Sequence, residues 1–278
     1  MEPFGARLHR AVGTFGPLCV GIDPHPELLA AWGLDDTVAG LAAFTEITAA
    51  ALGGRVALVK PQSAFFERFG SRGIAVLEST IRQFREAGTL VLLDVKRGDI
   101  GSTTSAYAQA YLHPSSPLYV DAITATPYLG FGSLAPMIDM AGTYGGGVFV
   151  VTLTSNPEGA AVQRATRPDG RTVAQAVLDE ISQVNAGVEP LGSIGAVIGA
   201  TIDPGGYAFA RVNGPLLAPG MGAQGGTPRG LAAIIGDSRA TVLPSYSREI
   251  LGSGPDVADL RAAAARAGDA CRAALVPG

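Results

Sequence analysis

The stretch VLLDVKRGDIGSTT (91–104) puts Asp94, Lys96, Arg97 and Asp99 within six positions, directly after the aliphatic run 90–93. Ammonium and carboxylate groups this close form an alternating field, which can stabilise charge developing on a bound molecule. An ammonium can also donate a proton. Asp94 and Lys96 are two apart, so on a strand they point the same way, and Arg97 points the other way. The bland alternative for Asp94 and Lys96 is an ion pair closing a strand end. Lys60 and Asp23 argue against it, because each also ends an apolar run, ALVK and VGID. Arg97 is expected to be solvated or at an interface. The tripeptide RGD (97–99) lies beside a buried strand and is not read as an adhesion motif.

A second chemical signal is the loop PGMGAQGGTPRG (219–230), where Gly220, Gly222, Gly225 and Gly226 leave backbone amides open to an anion. The loop matches GxGxxG, but a dinucleotide fingerprint belongs in a first βα turn with an acid closing the next strand. Here it falls in the last quarter of the chain, and the next strand runs into SYSR (245–248). Three readings stand side by side: a phosphate monoester held with Arg248, an NADP 2′-phosphate on the same arginine, or a turn without ligand. His9, His25 and His113 form no metal-ligand pattern and are expected to be structural or exposed; no HxH, HExxH or carboxylate triad implies a required metal. Cys19 and Cys271 belong to no CxxC pair and are expected to be buried reduced thiols.

These groups need elements to hold them. Eight short apolar runs are candidate strands: 17–23, 55–60, 89–95, 119–124, 147–153, 194–201, 214–220 and 240–246. Their near-continuous apolar character predicts strands covered on both faces, as in a parallel sheet. Helix-like segments alternate with them: 37–53, 72–87, 102–112, 132–142, 171–187, 205–212, 228–236 and 256–275, of which 205–212 has the weakest pattern. In 171–187, Val173, Ala176, Val177, Ile181 and Val184 are spaced as a helical stripe. Eight strand–helix pairs without a composition break predict an α/β fold, a (β/α)8 TIM barrel filling residues 1–278 as a single domain. Such a barrel gathers its chemistry at the C-terminal strand ends, where the charges lie. The irregular stretch 155–170 is read as an active-site loop or an excursion.

The totals agree with this. The chain has 278 residues, 47% hydrophobic and 16% charged, enough for a large core. A net charge of −4 supplies no basic surface for nucleic acid. No run of about 18 apolar residues is present to span a membrane. The first residues lack a signal-peptide pattern, so a cytoplasmic protein is expected.

Together these residues resemble the orotidine 5′-phosphate decarboxylase family. The element Asp94-x-Lys96-x-x-Asp99-Ile100, followed by Thr103, is joined by GIDPH (21–25), LVKPQ (58–62), LTSNPEG (153–159), PGMGAQGG (219–226) and SYSREI (245–250), in order along almost the whole chain. The long loops are similar to the extended bacterial, mycobacterial-type subgroup. The resemblance implies decarboxylation of orotidine 5′-phosphate to UMP and CO2, the last step of pyrimidine synthesis, without cofactor or metal. It also implies a homodimer of barrels with shared active sites. On that reading Lys60, Asp94 and Lys96 form the charged array of one subunit, and Asp99, Ile100 and Thr103 come from the other. Asp23 and Lys60 would hold ribose hydroxyls, and Ser155, or its neighbour Thr154, would contact the base. Gln224, an amide of Gly225 or Gly226, and Arg248 would bind the phosphate.

The chemistry so implied is demanding, because the electron pair left at C6 lies in an sp² orbital with no adjacent carbonyl to absorb it. A unit charge pair at 4 Å is worth roughly 4 kcal/mol at an effective dielectric of 20, so an array is needed rather than one contact. Lys96 would meet the charge at C6 and protonate it, while Asp94 would disfavour the substrate carboxylate. Two further readings stay open. Magnesium-dependent sugar-phosphate barrels share D-x-K-x-x-D but place a glutamate where this chain has Lys60. A catalytically silent phosphate-binding barrel would need neither Lys96 nor the aspartates.

Overall fold

The computed structural model describes residues 1–203, 205–236 and 242–275. Eight parallel strands close on themselves in chain order: β1 (Cys19–Ile22), β2 (Leu58–Pro61), β3 (Leu90–Arg97), β4 (Ala122–Ala125), β5 (Gly147–Leu153), β6 (Ile194–Ile198), β7 (Leu216–Pro219) and β8 (Val242–Tyr246). The expected barrel is therefore borne out. Each strand falls within its expected run or overshoots it by one or two residues, and residues 240–241 of the last run lie outside the described residues.

The helices, in chain order, begin with α1 (Phe4–Phe15), α2 (Pro26–Ala31), α3 (Val38–Leu52), α4 (Ala64–Glu67), α5 (Gly70–Glu86) and α6 (Gly101–Leu112). They continue with α7 (Ala135–Tyr144), α8 (Ala160–Gln163), α9 (Val173–Val184), α10 (Pro228–Ile235), α11 (Arg248–Leu251) and α12 (Val257–Leu275). Three long crossover helices start on a threonine cap: the Thr37, Thr172 and Thr227 hydroxyls accept from the amides of Gly40, Gln175 and Gly230 at 3.2, 3.1 and 3.0 Å. Each cap satisfies a donor that the first helical turn leaves unpaired.

Two expectations need correction. Segment 205–212 forms only a 3-10 turn, Phe209–Arg211. Gly205 and Gly206 both sit at positive φ, which breaks a helix, and buried Phe209 fills the space instead. The stripe on α9 is rotated from the predicted one: Ala174 and Leu178 are buried with Ala176, Val177 and Ile181, while Val184 is exposed. Helix α1 has no counterpart among the expected elements. It closes the N-terminal end of the barrel with Phe4 and Leu8, both fully buried, and Phe4 meets Phe149 edge-on with ring centres 5.9 Å apart. The guanidinium of Arg7 pins the helix to buried Asp121, whose other oxygen accepts from the amide of Val91 at 2.9 Å.

The interior is built in layers. Cys19, Leu58, Leu92, Ala122, Phe149, Val197, Leu217 and Leu243, one from each strand in order, form an apolar layer against α1. The outward residues of the strands pack with the surrounding helices in a separate core. Side chains on a strand return to the same face every second residue. Two residues beyond the apolar layer therefore stand Gly21, Lys60, Asp94, Thr124, Val151, Gly199, Pro219 and Ser245. This is where the interior turns polar.

Candidate active site

That second layer is the floor of a cavity of about 410 Å³ at the C-terminal ends of the strands. Lys60, Asp94, Thr124 and Ser245 line it, with Asp23, His25, Gln62, Lys96, Thr154, Ser155, Gln224, Ser247 and Arg248 above them. The groups come from seven different βα junctions, and the barrel alone brings them together.

Asp94 is the centre of the charged array. Its Oδ2 accepts from Lys60 Nζ at 2.9 Å and from Gln62 Nε2 at 3.1 Å. Its Oδ1 accepts from Lys96 Nζ at 2.6 Å and from Thr124 Oγ1 at 2.8 Å. Lys60 and Asp94 side chains are each 7% exposed, whereas that of Lys96 is 49% exposed and faces the open cavity. Burial by itself would discourage charge on Asp94, but the two ammonium groups outweigh it and hold the carboxyl well below the usual range. Burial likewise works against Lys60, and the charges of Asp94 and Asp23 overcome it and raise its pKa. Asp94 and Lys60 on the cavity floor are thus both ionised at neutral pH. Below it, Cys19 is a buried free thiol whose pKa burial pushes up to about 12, so it stays protonated.

Stability should follow these shifts. The pKa of Asp94 lies below its unfolded value near 3.9, so its contribution is present above about pH 4 and is lost as pH falls further. The pKa of Lys60 lies above its unfolded value near 10.4, so its contribution is present below that pH and fades as pH rises through the folded value. The urea midpoint is expected to fall below about pH 4 in the native protein and to fall less steeply in Asp94→Asn. Equal acid slopes in the two proteins would show that Asp94 is not a source of the acid lability.

Backbone geometry places Lys96. The β3–β4 ladder is irregular between Leu93 and Arg97, and Lys96 has φ 43°, the left-handed region that a non-glycine residue occupies at a cost of about 1–3 kcal/mol. Despite this irregularity Asp94 and Lys96 face the same cavity, as their spacing predicts. Arg97 does turn away, and its side chain, 29% exposed, is paired rather than free. Its guanidinium donates to Glu67 at 2.7 Å and lies over the rings of Tyr107 and Tyr111, 5.6 and 6.0 Å from their centres. Glu67 also accepts from the Ser63 hydroxyl at 2.7 Å, so this outer pair braces the turn after β2.

Asp23 follows β1, and among the described residues its buried Oδ1 has no hydrogen-bond partner, nor does buried Ser247 Oγ. Gly21 lies between them: a Cβ there would stand 3.0 Å from Ser247 Cβ and 3.1 Å from Asp23 Oδ2, a crowded fit that glycine relieves. The pair forms an unmet polar corner that suits a ligand hydroxyl. In the β5 loop, Thr154 is tied down. Its amide donates to Gln163 Oε1 at 2.8 Å, and its hydroxyl accepts from Gln163 Nε2 at 2.8 Å while bonding Asn156 at 2.6 Å. That leaves Ser155 as the freer hydroxyl on the cavity wall. The excursion beyond it carries α8, and Gln163 reaches back from it to fix Thr154.

Gln224 and Arg248 line the cavity on the far side from Lys96's loop, but Gly225 and Gly226 do not. The amide of Gly225 donates to Gly222 O at 2.7 Å and that of Gly226 to Gly220 O at 3.0 Å, so the tight turn uses both within the loop. They face a second cavity, behind the loop. The expected phosphate contact from either amide is therefore not made available by this loop conformation. Asp99, Ile100 and Thr103 are also outside their own subunit's cavity. They sit at the start of α6, where Asp99 Oδ1 accepts from the Ile100 amide at 2.8 Å and Ile100 is 61% exposed.

Sequence reasoning missed Gln62, Thr124 and His25. Gln62 and Thr124 follow from the period of two: Gln62 stands two residues beyond Lys60, and Thr124 two beyond inward Ala122. His25 was expected to be merely structural or exposed. It lines the cavity, with its ring edge-on to Phe65 at 4.3 Å.

A model of the orotidine 5′-phosphate decarboxylase / HUMPS family matches residues 16–263. An orotidine 5′-phosphate decarboxylase from Salinispora arenicola is 70% identical over 275 residues, covering 99% of each chain. One from Streptomyces coelicolor is 58% identical over 266 residues, covering 96% of each. A crystal structure from Streptomyces avermitilis, described as that of an orotidine 5′-phosphate decarboxylase, superposes with a TM-score of 0.97 at 57% identity, covering 100% of this chain and 97% of the other. That of the Leishmania donovani OMP decarboxylase gives 0.76 at 32% identity, with 98% of each chain covered.

Proposed function

The chain belongs to the orotidine 5′-phosphate decarboxylase / HUMPS family, and from that premise we propose how its charged cavity acts. The enzyme is a carboxy-lyase that converts orotidine 5′-phosphate to UMP and CO2. The observation that carries the residue roles is the Lys60–Asp94–Lys96 array, held in one cavity with Gln224 and Arg248.

Arg248 and Gln224 hold the phosphate, and Asp23, with Lys60, takes the ribose hydroxyls. Ser155 meets the base. This anchoring puts the substrate carboxylate near Asp94 and C6 near Lys96. The C6–carboxylate bond breaks and CO2 leaves. Its electron pair stays on C6 and takes a proton from the Lys96 ammonium, and the resulting amine regains a proton from solvent. Lys60, Gln62 and Thr124 keep the negative charge of Asp94 in place, so the field is organised before the substrate arrives. Binding energy from the remote phosphate goes into holding this geometry.

We also propose that residues 1–278 act as one catalytic domain and pair as a homodimer, with Asp99, Ile100 and Thr103 entering the partner's cavity. Exposed Ile100, Tyr128 and Leu129 support this. They follow adjacent strands β3 and β4, and Thr126 N bonds Arg97 O at 2.9 Å between the two loops. Among the described residues no helix is long and apolar enough to cross a membrane, and we place the enzyme in the cytoplasm, in pyrimidine synthesis.

Purified protein given orotidine 5′-phosphate in EDTA is expected to remove the substrate's ultraviolet absorbance. Loss of absorbance only after added magnesium would favour the sugar-phosphate branch of the family, and no loss at all a silent binder.

A further inference from the structure

Thr124 lies at the top of β4, 1% exposed, with its hydroxyl between two parts of the charged array. A hydroxyl has one proton and two lone pairs. The Lys96 backbone amide, 2.9 Å from Thr124 Oγ1, can only donate, so the threonine oxygen accepts there. The Asp94 carboxylate, 2.8 Å away at Oδ1, can only accept while ionised, so it takes the hydroxyl proton. The same Oδ1 receives Lys96 Nζ at 2.6 Å. The result is a closed ring of contacts: Lys96 amide, Thr124 hydroxyl, Asp94 carboxylate, Lys96 ammonium.

This ring falls at the break in the β3–β4 ladder, where Lys96 has φ 43°. A left-handed lysine persists only when its surroundings over-determine it. At this point a side chain of β4, rather than its backbone, supplies the acceptor for the strand amide. A β-branched threonine has little χ1 freedom, so the hydroxyl is held in place before any ligand binds.

We propose that Thr124 is a positioning residue, which fixes the backbone of Lys96 and the carboxylate of Asp94 relative to each other. The proposal rests on the decarboxylase reading of this site and adds to it a residue with no direct part in the reaction.

Thr124→Val keeps the shape and removes the hydroxyl, and Thr124→Ser keeps the hydroxyl. In Thr124→Val, kcat is expected to fall by about 10- to 100-fold, the scale of a displacement of about 1 Å in a catalytic group. KM should change less than about threefold, because the groups proposed to hold phosphate and ribose are untouched. Thr124→Ser should restore kcat to within about fivefold of the native value. Hydrogen exchange at the Lys96 amide should be faster in the valine protein and near native in the serine protein. If Thr124→Val does not fold, Thr124→Ala serves in the same comparisons.

Native kcat in the valine or alanine protein, a serine protein as impaired as the valine one, or unchanged Lys96 amide protection would each overturn the assignment. Failure of the decarboxylase reading is told apart by the native protein, which would then not consume orotidine 5′-phosphate. The amide exchange would in that case still decide whether Thr124 holds Lys96.

Discussion

Lys96→Ala is expected to lower turnover of orotidine 5′-phosphate by about 10⁴-fold or more while leaving the barrel folded. Two contributions are lost with one side chain. A positioned proton donor is worth about 10²–10⁴-fold, and a preorganised charge beside a developing carbanion a further 10²–10³-fold or so, not strictly additive. The fold should survive because Asp94 keeps Lys60, Gln62 and Thr124 as partners at 2.9, 3.1 and 2.8 Å. The Lys96 side chain is half exposed, so its removal leaves no large void. UMP binding should be little changed, since Arg248, Gln224 and Asp23 remain. Lys96→Arg is expected to stay nearly inactive too, because a guanidinium keeps the charge but does not release its proton near neutral pH. The check is the absorbance assay alongside circular dichroism and UMP titration. More than a few per cent of native kcat in Lys96→Ala would reject this residue as the proton donor.

Mixing two inactive proteins, Lys96→Ala and Asp99→Ala, is expected to restore activity. Asp99 lies outside the cavity that contains Lys96 of the same chain, at the foot of α6 beside exposed Ile100. If each site takes Lys96 from one subunit and Asp99 from the other, a mixed dimer has one whole site and one doubly defective site. Free exchange of equal amounts gives mixed dimers for half the population, so about a quarter of native activity returns. Native mass spectrometry of differently tagged subunits would confirm the exchange. Confirmed exchange with no activity would show that Asp99 does not act across a subunit boundary.

Much of this site was legible in the chain because strand periodicity and barrel topology are simple rules. An apolar run that ends in Asp23, Lys60 or Asp94 announces a strand tip, and eight such runs with helices between them announce a closed parallel barrel. Where the local pattern was weak, the reading failed. Segment 205–212 carries two adjacent glycines and becomes a 3-10 turn, and α1 plugs the barrel through Phe4 and Leu8 from a segment with no strand partner. The partners of Arg97, Glu67, Tyr107 and Tyr111, come from other elements, so the spacing of charges in VLLDVKRGD could not name them.

The order of elements, the inward face of each strand and the identity of the charged groups are properties of the sequence by itself. They depend on local spacing: two residues per turn of a strand's faces, and 3.6 per turn of a helix. Tertiary structure alone decided that Asp94 receives four hydrogen bonds, that Thr124 bridges it to the Lys96 amide, and that Gly225 and Gly226 turn their amides into their own loop. Those outcomes depend on which strands become neighbours and where one ladder slips. The bonds of Asp94 to Lys60, Gln62 and Thr124 join residues 34, 32 and 30 positions apart, while the glycine loop closes over three to six residues in a turn, and no local pattern of hydrophobicity or charge records either.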